Sequence, residues 1–385
     1  MPFQIVRQPV ASPLSFSRSD DAAILTQAAV LLATGAQLRG DNKRFRLAPA
    51  GISSGSAPLL DEDLKLLGLP ALAESPGRID SAHNRQLLFS RYKLPIPTQA
   101  VLTETAIEDK NVFGDVARIH FSEGSSKSAI DMMELCLRHP NELVRVSAAA
   151  AYSEHSSELD RLVRILEAGT RSAENLLRSI SATALSFAAP DHPRLREMQG
   201  IAGRPGATGA GDTTMLIHGT WAQNSPWWQP GCDFHTYILQ SVRPDLYSKP
   251  DRFGWSGGYS DAARTLAATD LVSWVQNHNE QGLDLITHSH GGNVAFLATQ
   301  NGLDLGELIL LSCPVHVPKY QPDMAHVHKK VVSIRVHFDL VILADRGGQR
   351  FNFPGITENV LPIWFDHFAT HNPDVWRQQN VPAMI

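Results

Sequence analysis

The sequence predicts an α/β domain, built on a mostly parallel sheet with helices on both faces, preceded by an all-α domain. Three observations carry this. Beyond about residue 210, short apolar or β-branched runs alternate with helical segments, the grammar of parallel strands joined by crossover helices. Before about residue 200, Ala-, Leu- and Ser-rich stretches follow helical spacing. Between them Gly200–Gly211 (GIAGRPGATGAG) suits neither helix nor strand and reads as a linker. The expected domains are 1–205, helical, and 212–385, α/β.

Composition narrows the function. Hydrophobic residues are 43% and charged residues 19% of 385, enough apolar surface for a sizeable core. A net charge of −5 gives no basic field for a phosphate backbone, so nucleic acid is not the expected partner. Cys136, Cys232 and Cys313 are odd in number and far apart, which excludes a disulfide scaffold and a CxxC metal site. The opening MPFQIVRQPVASPLSF lacks the charged and apolar regions of a secretory signal. No run of about 18 apolar residues marks a membrane span. A soluble, cytoplasmic protein is expected.

In the first domain, Asp20–Leu38 and Leu60–Leu72 read as helices. Ser128–Arg138, Glu142–Ser153, Glu158–Ala168 and Ala173–Phe187 read as four more with short connections. Leu143–Ala151 (LVRVSAAAA) aligns with Leu176–Ala184 (LLRSISATA), and Arg145 to Arg178 sets an offset of 178 − 145 = 33 residues. That period suits a helix pair. The signature, following His139-Pro140, resembles a HEAT-like repeat over about residues 128–188. The resemblance implies a surface for a protein partner or for substrate gating; an ordinary Ala-rich bundle fits the same residues.

In the second domain, Thr213–Trp221 (TTMLIHGTW) reads as a buried strand running into His218-Gly219, and Phe253–Gly258 as a strand running into a loop. Leu283–Thr287 is another strand, followed at once by His288-Ser289-His290-Gly291-Gly292 and a helix from about Asn293. A strand, a sharp corner and a helix set Ser289 on a turn at the carboxyl edge of the sheet, with Gly291 making room two residues on. Thr287-His-Ser-His-Gly291 resembles the nucleophile elbow of α/β-hydrolases, in the variant of some minimal lipases that has no glycine at its first position. The resemblance covers roughly residues 213–380 and implies a compact serine esterase or lipase.

The resemblance also orders the remaining parts as Ser, acid, His. Glu307–Ser312 and Lys330–His337 read as strands, and the family places its acid after the second of these. Asp339 stands there, with Asp345 as the alternative. The base is His367, where the family motif places it, with His371 as the alternative; both lie in the loop before a final helix that starts near Asn372-Pro373. Oxyanion donors are expected from the backbone of His290 and of Thr220. Trp221, Trp227 and Trp228 are candidates to line an acyl pocket, with plain packing as the alternative.

Eleven of the 16 histidines lie beyond residue 210, yet no HExxH-type spacing occurs, so neither metal nor organic cofactor is expected. Only 17 residues separate the strand ending at Ser312 from that starting at Lys330, too few for a helical cap. An uncapped site favours long-chain acyl esters, lipids or acylated macromolecules. Two other functions use the same residues: an acyltransferase or amidase, and a non-catalytic interaction platform.

Overall fold

A computed structural model describes residues 7, 16–39, 67–72, 80–95, 106–200, 214–278 and 282–385. The chain divides into two compact units, Met1–His192 with Leu343–Arg346, and Pro193–Ile342 with Gly347–Ile385. The expected linker Gly200–Gly211 lies, beyond Gly200, outside the described residues, as does most of the expected helix Leu60–Leu72, whose 67–72 portion is turn and irregular chain.

The first unit contains α1 (Asp21–Arg39), α2 (Ser81–Arg91), α3 (Lys110–Glu123), α4 (Ser126–Cys136), α5 (Glu142–Tyr152), α6 (Leu159–Gly169) and α7 (Asn175–Ala188), with no strand among its described residues. α1 is the one described helix long and apolar enough to cross a membrane, and 83% of its apolar window is buried inside the protein. It is thus packed as a core helix. Its buried Thr26 and Thr34 satisfy their hydroxyls on the carbonyls of Ala22 and Val30 (2.8 and 2.7 Å), so they cost little inside. α1 packs on α5, where a Cβ at Gly35 would lie 2.8 Å from Ala151 Cα. The small residues allow this close crossing.

The 33-residue echo has an atomic counterpart. Arg145 Nη1 donates to the carbonyls of His139 and Pro140 (2.7 and 2.9 Å). Arg178 Nη1 donates to those of Ser172 and Ala173 (2.7 and 3.4 Å), the same positions one period on. Each arginine ties the loop ahead of its own helix to that helix.

In the second unit, after the short helix α8 (Pro193–Met198), a five-stranded parallel sheet runs in the order β1 (Thr214–Ile217), β2 (Leu283–His288), β3 (Leu305–Leu311), β4 (Val327–His337), β5 (Ile356–Trp364). Side chains alternate between its faces. Met215, Leu285, Leu308 and Val331 pack with α10 (Asp261–Asn277) and α11 (His290–Gln300). Leu216, Ile286, Ile309 and Ile334 pack with α9 (Asp233–Ser241) and α13 (Pro373–Gln379). A sheet covered on both faces explains the near-continuous apolar strands.

A parallel bridge from Thr214 to Leu246 extends pairing on the side of β1 away from β2. The chain therefore leaves β1 toward that side through α9 and returns across it through α10 to β2. Successive right-handed connections of opposite direction put the two helices on opposite faces. Such a reversal point is where α/β sheets open a crevice at their carboxyl edge.

Some details differ from expectation. Phe253–Gly258 is irregular chain rather than strand: it carries Gly257 in the left-handed region (φ 66), and its Trp255 indole N–H donates to the His218 carbonyl (2.8 Å). β5 is an edge strand carrying Glu358, Asn359 and Pro362, so it shows no apolar run to read. The helix after Ser289 starts at His290, three residues earlier than expected. Between β3 and β4 the only helical turn is Met324–His326, and Asn372 caps α13 with Pro373 at its first position, both as expected.

Candidate functional site

Four strands leave the carboxyl edge of the sheet through a non-glycine residue in the left-handed region. These are Ser289 after β2 (φ 52), Ser312 after β3 (φ 45), Phe338 after β4 (φ 54) and Phe365 after β5 (φ 71). The main-chain N–H of each serine and of Phe365 bonds a carbonyl of the neighbouring strand: Ser289 to Leu311, Ser312 to Ile334, Phe365 to His337 (2.8, 2.9 and 2.9 Å). The strain of these three exits, of order 1–3 kcal/mol each, is offset by this pairing.

Ser289 is the residue at which β2 turns into α11, with φ 52 and ψ −133. Two glycines make the turn possible. A Cβ at Gly291 would stand 2.7 Å from the His218 carbonyl oxygen, and one at Gly219 would stand 2.8 Å from Ser289 Cβ. The loop after β1, which carries Thr220, thus runs directly alongside Ser289. The N-terminus of α11, with the His290 N–H, lies on its other side and favours negative charge there. His290 Nδ1 accepts from the Asn293 amide (2.9 Å). Its ring stacks on His316 with centroids 5.8 Å apart.

Asp339 is the second residue past β4 and is buried. Its Oδ1 accepts from the N–H groups of Val341 and Ile342 (3.0 and 3.1 Å), at the start of α12 (Leu340–Ala344). Its Oδ2 accepts from His367 Nδ1 (2.7 Å). With its proton on Nδ1, the His367 imidazole keeps a lone pair on Nε2, the form a base requires. Asp345, also buried, is not the carboxylate bonded to His367.

The loop after β5 meets the exit of β2 through His288. That imidazole packs on His367 with centroids 4.6 Å apart, and its Nε2 donates to the His367 carbonyl (3.3 Å). Burial holds His288 well below the usual histidine range, so it is a neutral prop. His371 is neutral too: burial pushes it down to about 3. It stacks on Trp227 (centroids 4.5 Å) and is not Asp339's partner.

Of the three tryptophans, Trp228 is buried, donates to the Ala222 carbonyl (2.9 Å) and packs on His218. Trp221 stacks on Tyr259 (5.5 Å), whose edge meets His290. Burial pushes His218 down to about 4; it donates from Nδ1 to the Gly219 carbonyl (2.8 Å) and so braces the loop beside Ser289.

Sequence reasoning did not single out His288, Asp366 or Gln349. Burial raises the Asp366 carboxyl, and the Asp339 charge adds to that. His288 had a visible signal, its place next to Ser289. Gln349 had none, since nothing marks a glutamine ten residues past an aspartate. As to metals, His326 Nδ1 and His328 Nε2 both donate to Asp304 Oδ1 (2.9 and 3.0 Å), an exposed arrangement that ordinary hydrogen bonding accounts for.

Comparison with known proteins finds no family model, no curated protein and no solved structure that matches the chain.

Proposed function

We propose that this chain is a serine hydrolase of carboxylic esters, with an α/β-hydrolase catalytic domain and Ser289, His367 and Asp339 as its triad. The observation that carries the reading is the Asp339–His367 bond, made at the same sheet edge as the strained turn at Ser289. In the proposed reaction His367 Nε2 takes the proton of Ser289 Oγ as that oxygen attacks the ester carbonyl carbon. The charge moves to the carbonyl oxygen, which the N–H groups of His290 and Thr220 receive. One such donor is worth about 3–4 kcal/mol in acyl transfer. The carbonyl re-forms, the C–O bond to the alcohol breaks, and the imidazolium protonates the leaving oxygen. Water, deprotonated by the same imidazole, then releases the acid and restores Ser289. Asp339 holds the Nδ1–H tautomer and stabilises the imidazolium.

The connection from β3 to β4 contains one short helical turn and no cap, which supports long acyl chains or acylated macromolecules as substrates. An amine or alcohol acceptor would make the same site an amidase or acyltransferase. The equivalent Arg145 and Arg178 bonds support a HEAT-like reading of the helical region, with a protein partner as its use.

Hydrolysis of p-nitrophenyl esters from C2 to C16, by the native chain and Ser289→Ala, tests the proposal. Turnover by the native chain alone supports it, and the chain-length profile narrows the substrate. No turnover, together with no labelling of Ser289 by a fluorophosphonate, overturns it in favour of the interaction platform.

A further inference from the structure

Asp339 has a problem that its carboxylate does not reveal. It stands past the end of β4, after the left-handed Phe338, so it has left the sheet's ladder. It is 1% exposed, so water does not satisfy its main chain. A buried peptide group left without partners costs free energy and lets the turn shift. One side chain meets both needs. Gln349 Oε1 accepts from the Asp339 N–H (2.9 Å), and Gln349 Nε2 donates to the Asp339 carbonyl (3.1 Å). The carboxamide thus pairs with Asp339 as an adjacent strand residue would. Gln349 is itself buried.

We infer that Gln349 is the positioning residue of the acid, fixing the main chain of Asp339 so that Oδ2 stays on His367. The inference rests on the hydrolase reading for its kinetic consequence and on the geometry alone for its structural one. All the connections of Asp339 are then accounted for: the main chain by Gln349, Oδ1 by the start of α12, Oδ2 by His367. No other residue type fits as well. Asn is one methylene short, and Met of similar volume supplies no donor and only a weak thioether acceptor.

The test is Gln349→Met in the full chain, assayed with p-nitrophenyl esters, with active sites counted by fluorophosphonate labelling. We expect kcat per labelled site to fall about 10- to 100-fold, the scale of a small misplacement of a catalytic group, with KM unchanged. A residue that only supported folding would lower the number of labelled sites and leave kcat per site intact; that result overturns the inference. If Gln349→Met does not fold, Gln349→Asn carries the same test. A second readout does not depend on activity. The NMR resonance of the His367 Nδ1 proton reports its bond to Asp339, and that signal should be lost or strongly shifted in the variant. An unchanged resonance overturns the inference. A native chain that neither labels nor hydrolyses defeats the hydrolase reading, while the resonance still decides the role of Gln349.

Discussion

Ser289 and Ser312 stand on neighbouring strand exits with nearly the same φ, 52 and 45, each bonding its N–H to a carbonyl of the next strand. Their surroundings differ. Ser312 is fully buried, its hydroxyl accepts from Thr370 (3.2 Å), and the chain continues into Cys313-Pro314. Ser289 opens a helix, has Gly219 against its side chain, and lies one residue from a histidine that packs on His367. Under the hydrolase proposal only Ser289 reacts, so a left-handed serine at a strand exit would not suffice by itself. What separates the two is the helix N-terminus, the glycine-lined approach and the nearby imidazole.

Paired substitutions test that contrast most sharply. Ser289→Ala should lower kcat for ester hydrolysis by 10³-fold or more and abolish fluorophosphonate labelling, whereas Ser312→Ala should stay within a few-fold of native. Loss of labelling on Ser312→Ala alone would reverse the assignment. The two histidines should divide in the same way. His367→Gln should cost about 10³-fold in kcat, while His371→Phe should act on stability alone, seen as a lower urea midpoint with kcat retained.

The glycine contrast gives a smaller effect. Gly291→Ala pushes a methyl against the carbonyls of His218 and Ile217. It should destabilise by about 1–3 kcal/mol, read as a drop in Tm. Smallest is the pH effect. His218 and His371 are buried with folded values near 4 and 3, below the unfolded value of about 6.5. The unfolded chain binds more protons in that window, so their contribution to stability is fully present above about pH 6.5 and lost as pH falls toward 4 and then 3. The urea midpoint should fall from pH 7 to pH 4, and His371→Phe should make that fall shallower.

How much was readable in advance follows from what kind of signal each part leaves. β2, β3 and β4 are covered on both faces, so their apolar runs stand out, and the chemistry-bearing residues sit just past their ends. The glycine at 291 marks the turn because backbone oxygens crowd it. β5 left no such trace, because an edge strand tolerates Glu358 and Pro362. The resemblance alone favours His367 over His371, since both lie in one loop; the structure adds that His367 bonds Asp339 and that His371 stacks on Trp227. Gln349 was invisible because a side-chain amide serving as a strand partner has no spacing rule.

The sheet order has a consequence for synthesis on the ribosome. β1 pairs with β2 in the register Thr214 to Asp284, 284 − 214 = 70 residues further along the chain. At about 5–20 residues per second, β1 waits roughly 4–14 s for its partner to be made. Through that interval the segment around Leu246 is the one strand neighbour of Met215-Leu216-Ile217, among the described residues, that has already been made. The short bridge on the far side of β1 is thus the first of the described parallel pairings whose two partners are both synthesised, and each later strand emerges in the order in which it stands in the sheet.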